Sequence, residues 1–421
     1  MHACLRLKAA TILAIKLLMV MVAGTAAEWS GANPDHPFAT SNASSIHSED
    51  RHRSEPFDVT FVVQTSTDRV WLIADTCTRW TGQIVLILFL SDELPFKTNE
   101  VHSLPTACRS GSSNSTTTNA NSTSSDDVPN SSLISYHNRT STNKHNTQVE
   151  VPRVKSGTLM GSVADFPINY LRNLGIGLVQ TSHFLVADVD FVPSRNLYTE
   201  IMQHGSLMLN DLMMALVVPA FQRHVGSCSS VADCRALAAQ LNFIPASLEE
   251  LQQCVAGNTS ASTSLMANPS RSLRSRRDVC FAFQAEKNHY GHSTTRSSDW
   301  LAASAHWPVP QPITCIDSIR YEPYLVLSTW GPATPRYDEQ FTGYGKNKIQ
   351  FVNHLRVAGF KFSVLPREFL VHFPHPFSPA KLTWLQNTTL RKHVDTQFAS
   401  FMKKLAREYS GLNSSVTPLC S

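Results

Sequence analysis

The chain runs to 421 residues with 42% hydrophobic content and a formal net charge of +4, enough for a sizeable core built as one large α/β unit or two smaller domains. Its basic residues are scattered apart from one dense stretch at 271–277, so nothing in the charge pattern argues for nucleic acid and none is expected as a partner.

Residues 1–27 begin with Arg6 and Lys8, continue through a largely apolar stretch and end in small residues. This pattern predicts a signal peptide, cleaved near Thr25-Ala26-Ala27, or a signal anchor. Lys16 interrupts the apolar segment, and the uninterrupted run after Lys16 is too short to span a bilayer comfortably. If it is uncleaved, this segment is the expected membrane attachment. Residues 28–56 are polar, with Pro34 and Pro37 and no apolar periodicity, and read as a flexible stem.

A catalytic domain is expected over 57–412, followed by a tail at 413–421. Strands at 59–63 and 83–90 flank a helix at 68–79, a spacing that suggests a parallel βαβ unit. Residues 109–148 are almost wholly Ser, Thr, Asn and Asp, a low-complexity insertion expected as a disordered surface loop. The fold resumes at 149–151. A helix at 167–180 then feeds a buried strand at 184–187, and 212–221 reads as another core strand.

Helical patterns cover 232–241 and 248–254, and a Ser/Arg-rich loop follows at 255–277. Arg274-Ser275-Arg276-Arg277 fits a dibasic cleavage pattern but reads better as a solvated loop. Strand-like segments recur at 324–327, 359–365 and 369–373. Phe398, Phe401, Leu405 and Tyr409 recur at helical spacing, which predicts an amphipathic helix over 395–409 packed on the core.

Eight Asn-x-Ser/Thr sequons occur, at Asn42, Asn114, Asn121, Asn130, Asn138, Asn258, Asn387 and Asn413. Setting aside Cys4 in the signal leaves eight of nine cysteines. Both features fit a lumenal or extracellular chain with disulfides whose pairing the sequence leaves open. None forms a C-x-x-C pair, which argues against zinc.

Asp188-Val189-Asp190 closes the apolar run Phe184-Leu185-Val186-Ala187. In a strand, residues two apart share a face, so both carboxylates are placed to grip one hard divalent cation and, through it, a nucleotide diphosphate. Most Asp-x-Asp triplets are structural or solvated, so the surroundings must decide.

Those surroundings comprise several separated blocks. They include Asp58-Val59-Thr60-Phe61-Val62-Val63-Gln64, Arg79-Trp80-Thr81-Gly82-Gln83-Ile84, Pro167-Ile168-Asn169-Tyr170-Leu171-Arg172-Asn173-Leu174 and Ala187-Asp188-Val189-Asp190-Phe191-Val192-Pro193. Later ones are Val218-Pro219-Ala220-Phe221, His292-Ser293-Thr294-Thr295 with Trp300, Tyr321-Glu322-Pro323-Tyr324, the run from Pro335 to Lys348, Ala358-Gly359-Phe360-Lys361-Phe362, and Val371-His372-Phe373-Pro374-His375. Together they resemble the LARGE-type and β-1,4-glucuronyltransferase family of glycosyltransferases over most of 57–378. The loops at 109–148 and 255–277 exceed the family pattern, and no second glycosyltransferase domain is expected. Such insertions bear on acceptor recognition more than on the core chemistry.

The resemblance implies a single Rossmann-like α/β domain of the GT-A type with a central mixed sheet. It also implies a metal-dependent, inverting transferase that uses a UDP-sugar, favouring UDP-glucuronic acid, with Mn²⁺ as cofactor. The expected acceptor is a glycan or glycoprotein in the secretory pathway, most naturally the Golgi lumen in a type II arrangement, or outside the cell if the signal is cleaved. Asp188, Asp190 and His372 would hold the metal, with His375 as the fallback ligand. Asn169 and Arg172 would face the donor, where an arginine suits a glucuronate carboxylate. Asp338 or Glu339, just before a loop with two glycines, would take the acceptor proton. Gln340 stands where a phosphate-binding loop needs glycine, which removes that reading. The alternatives are another donor such as UDP-N-acetylglucosamine, an inactive glycan-binding relative, and a secreted hydrolase, which would require more widely spaced acids.

Overall fold

The computed structural model describes residues 56–89, 132–136, 147–151, 166–225, 228–240, 243–264, 278–283, 291–331, 334–411 and 416–420. The signal, nearly all of the stem, most of the two expected insertions, and residues 413–415 and 421 of the tail lie outside these residues, as do the sequons at Asn42, Asn114, Asn121, Asn130, Asn138 and Asn413.

The domain opens with β1 (Val59–Ser66), a 3₁₀ segment (Thr67–Ile73), α1 (Ala74–Arg79) and β2 (Gln83–Phe89). Both strands are apolar and buried on both faces, and they pair in parallel, as the βαβ spacing required. Helix α2 (Ile168–Gly177) leads into β5 (His183–Asp188), which pairs parallel to β1 on its other side. Gly175 lets α2 lie close on the sheet, since a Cβ there would sit 2.5 Å from Val62 Cγ1.

Two further strands, β3 (Ser132–Tyr136) and β4 (Thr147–Val151), join the far edge. They fall within and beside the segment whose composition suggested only a loop. Leu133, Ile134 and Tyr136 supply enough β propensity for an edge strand when β4 offers an antiparallel partner.

The remaining strands are β6 (Phe191–Pro193), β7 (Met214–Val218), β8 (Ala220–Val225), β9 (Asp278–Ala282), β10 (Gln311–Ile313), β11 (Tyr324–Ser328), β12 (Lys361–Val364) and β13 (Leu370–His372). A mixed nine-stranded sheet runs β10-β12-β7-β11-β5-β1-β2-β4-β3, and a four-stranded sheet runs β6-β13-β8-β9. The apolar run at 212–221, expected as one strand, therefore splits between the two sheets. Pro219 lies at the break, where it offers no ladder N–H, and its carbonyl accepts from Leu370 N at 2.9 Å.

The core fills the space between the sheets and the helices, with Phe61, Phe184, Phe221, Phe360, Phe362, Phe369 and Trp300 fully buried. Trp300 also donates from Nε1 to the Leu365 carbonyl at 2.7 Å, which satisfies its one polar atom. Farther along, α3 (Asn347–Val357), α4 (Pro379–Gln386) and α5 (Thr388–Glu408) close one side. Phe398, Phe401 and Leu405 of α5 pack on Phe341 and Ile349 in a second cluster, the core-facing stripe that the spacing predicts.

Disulfides join Cys228 to Cys234, Cys254 to Cys280 and Cys315 to Cys420, and Cys77 is disulfide-bonded as well. Among the described residues, no helix is long and apolar enough to cross a membrane.

Candidate active site

Strands β1 and β5 end side by side, with Gln64 opposite Asp188. β5 stops at Asp188, and Asp190 lies in the turn that leads into β6. The two carboxylates thus leave the strand end separately, and each meets its own set of partners.

Asp188 is surrounded by donors. Its Oδ1 accepts from Gln64 Nε2 at 3.0 Å and from Arg172 Nη2 at 2.7 Å, and its Oδ2 accepts from Tyr324 Oη at 2.9 Å and Lys348 Nζ at 3.0 Å. Burial by itself would raise the pKa of this acid, but the charges of Lys348 and Arg172 overturn that and hold it well below the usual carboxylate range. Burial and the neighbouring Asp188 charge push the Tyr324 hydroxyl well above its ordinary pKa, so it stays a donor.

Arg172 is 3% exposed in its side chain. Its Nη1 donates to Asn169 Oδ1 at 3.1 Å, and the guanidinium stacks 5.1 Å from the Tyr337 ring centroid. Asn169 in turn donates to the Asp338 carbonyl at 2.8 Å. One residue pair on α2 therefore links the acidic strand end to the loop that carries Asp338 and Glu339. Asn173, which had no role in the sequence reading, adds to that link: it donates to the Tyr337 carbonyl and to Glu339 Oε1, both at 2.8 Å, and accepts from Tyr337 N at 2.9 Å. The Asp338 carboxylate accepts from Gln340 N at 2.9 Å, which closes its own turn.

Asp190 belongs to a different cluster. One ligand atom each from Asp190, His372 and His375 lie within 4.8 Å of one another, and Asp188 stands outside this group. Asp190 Oδ2 contacts His375 Nε2 at 2.7 Å, Arg69 Nη2 at 2.9 Å and His372 Nε2 at 3.6 Å. Burial would raise the Asp190 pKa; hydrogen bonds from both histidines and the charge of Arg69 reverse that and hold it well below the carboxylate range. Burial lowers the His372 pKa against the pull of Asp190, which favours the neutral, ligating imidazole.

These residues suit a divalent ion. Asp190 Oδ1 is buried and has no hydrogen-bond partner, an orphan that a cation would satisfy. His375 Nδ1 lies 2.7 Å from the Pro376 carbonyl, an acceptor for the ring N–H that would leave Nε2 free to ligate once a cation takes the place of the proton it shares with Asp190. One carboxylate and two imidazoles form a donor set that Mn²⁺ accepts, with positions left for phosphate oxygens.

Arg69, Gln64, Tyr324 and Lys348 went unassigned in the sequence, although Gln64, Tyr324 and Lys348 lie in matched blocks and Arg69 near the start of the helix expected at 68–79. Their only local signal was position, and long-range pairing decides which of them meet.

The family model described as glycosyl-transferase for dystroglycan matches residues 58–259 and 271–410. Xylosyl- and glucuronyltransferase LARGE1 of Danio rerio is 24% identical over 86% of this chain and 37% of its own length. LARGE2 of Mus musculus is 26% identical over 84% of this chain and 40% of its own length. The chain thus spans about two-fifths of the length of these relatives. Among solved structures, GalNAc-T7 with UDP, GalNAc and Mn²⁺ aligns with a TM-score of 0.36 at 9% identity, covering 76% of this chain and 45% of that one. S. aureus TarS 1-349 aligns with a TM-score of 0.35 at 9% identity, covering 75% of this chain and 60% of that one.

Proposed function

The chain belongs to the family described as glycosyl-transferase for dystroglycan, and from that premise we propose that it is a metal-dependent, inverting glycosyltransferase. In this reading it moves glucuronic acid from UDP-glucuronic acid onto a glycan of a glycoprotein in the secretory pathway. The observation that carries the proposal is the cluster of Asp190, His372 and His375 beside the donor-rich Asp188 carboxylate. The disulfides Cys228–Cys234, Cys254–Cys280 and Cys315–Cys420 support an oxidising compartment.

Asp190, His372 and His375 would hold Mn²⁺. When bound, the ion supplies a Lewis acid that offsets negative charge on the departing diphosphate. Asp190 contributes its anionic charge, and His372 remains neutral and able to ligate. Asp188 sits on the donor side, where Arg172, Gln64, Tyr324 and Lys348 fix its orientation, and Asn169 carries that order to the acceptor loop. Asp338 or Glu339 takes the proton from the acceptor hydroxyl as its oxygen bonds the anomeric carbon and the bond to the diphosphate breaks. Asn173 positions the Glu339 carboxylate for that purpose.

Calorimetric titration of UDP into the chain tests this reading. Binding in Mn²⁺ should exceed binding in chelator by at least about tenfold, the equivalent of ~1.4 kcal/mol of metal–diphosphate attraction. Equal binding in both would remove the metal-dependent reading, and absence of UDP binding in Mn²⁺ would favour a glycan-binding role.

A further inference from the structure

The donor-side cations divide into one that is enclosed and one that can reach a ligand. Both Nη atoms of Arg172 are spent on protein acceptors, Asn169 and Asp188, and its side chain is 3% exposed. Its Nε is buried without a partner, and the enclosed guanidinium presents no exposed edge to a sugar carboxylate. Lys348 differs. Its Nζ donates to Asp188 Oδ2 at 3.0 Å and to Tyr324 Oη at 2.8 Å, and its side chain is 14% exposed. An ammonium has three N–H groups, so one remains beyond these two bonds.

The setting favours an anion. Nζ lies 4.1 Å from the centroid of the Tyr324 ring and 5.7 Å from that of Phe191, and such aromatic walls lower the local dielectric and strengthen charge pairing. In direct contact, two cations face the Asp188 carboxylate; the charges of Asp190 and Glu322 also act on Tyr324. His292, buried beside Tyr324 and Phe283, is neutral, its pKa pushed down to about 3 by burial and by Lys348.

Phe191 joins this pocket wall to the metal cluster. Its ring lies 5.0 Å from His372 and 4.4 Å from Tyr324. A diphosphate held at Asp190, His372 and His375 would direct its sugar along this wall toward Lys348.

We propose that Lys348 reads the donor sugar by binding the C6 carboxylate of a hexuronic acid, while Arg172 acts as a positioning residue that holds Asp188. The inference rests on the UDP-sugar reading above and deepens it by assigning the group that selects the sugar.

UDP-glucuronate and UDP-glucose differ only at C6, carboxylate against hydroxymethyl, and provide the test. Their dissociation constants are measured by calorimetry in Mn²⁺ for the wild-type chain, Lys348→Gln and Lys348→Arg. The wild type should prefer UDP-glucuronate. Lys348→Gln should lose about 10- to 150-fold of that preference, the worth of one charged hydrogen bond, and Lys348→Arg should keep most of it. Because each ratio is taken on one preparation, partial unfolding of a variant cancels. An unchanged ratio in Lys348→Gln, or a wild type that binds both sugars equally, would overturn the assignment and leave the transferase reading intact. A wild type that binds neither UDP-sugar in Mn²⁺ would instead refute the transferase reading on which the assignment rests.

Discussion

Replacing Asp190 with alanine is expected to lower donor turnover by at least about 10³-fold while the domain remains folded. Asp190 is the one carboxylate in the cluster with His372 and His375. Charge stabilisation by a bound metal is worth several kcal/mol, and each ~1.4 kcal/mol is a factor of ten in rate. Oδ1 makes no hydrogen bond that the variant would lose, whereas the contacts of Oδ2 with His375 and Arg69 are lost. Arg69 is 27% exposed and can be rehydrated, so the stability cost should fall toward the low end of the roughly 3–5 kcal/mol typical of breaking a buried pair from one side. Steady-state turnover, with Mn²⁺ affinity from electron paramagnetic resonance and a circular dichroism melt, separates these effects. Weakened Mn²⁺ binding in a folded variant is the expected result.

Removing Arg172 should damage the fold itself. Arg172→Ala deletes a buried cation that bridges Asn169 and Asp188 and stacks on Tyr337. Breaking a buried pair from one side typically costs about 3–5 kcal/mol. Since 28% of the Asp188 side chain is exposed and Lys348 remains paired with it, the lower end, about 3 kcal/mol, is expected. The loss should depend on pH with a definite sign. Because the folded pKa of Asp188 is depressed, its contribution is fully present above the unfolded value of about 3.9 and is lost as pH falls through the folded value. The penalty of Arg172→Ala should therefore be largest at neutral pH and shrink below about pH 4. Urea denaturation of both chains at pH 7 and pH 3.5 measures it, and equal penalties at the two values would contradict the account.

Legibility in the sequence followed the range of the interactions involved. The runs at 59–63, 83–90 and 184–187 announce β1, β2 and β5 because strands buried on both faces are continuously apolar. The α5 stripe of Phe398, Phe401 and Leu405 is legible from its 3.6-residue period. The start of the helix expected at 68–79 was less so, since Thr67–Ile73 winds as a 3₁₀ helix before α1 begins. Register across distant strands cannot be read from spacing. Antiparallel pairing places His372 opposite Phe191, and Phe373 N donates to the Asp190 carbonyl at 2.7 Å. That contact brings both His372 and His375 to Asp190, whereas the sequence ranked His375 as a fallback. The same limit hid Lys348 and Tyr324: they reach Asp188 across separations of 160 and 136 residues.

The most direct test is turnover of UDP-glucuronic acid by the folded domain, followed as UDP release with saturating Mn²⁺ or with chelator. Release should require the metal and disappear in Asp190→Ala. Release that persists unchanged in chelator, or a folded wild-type domain that binds the metal and releases no UDP from this donor, would contradict the metal-dependent transferase reading.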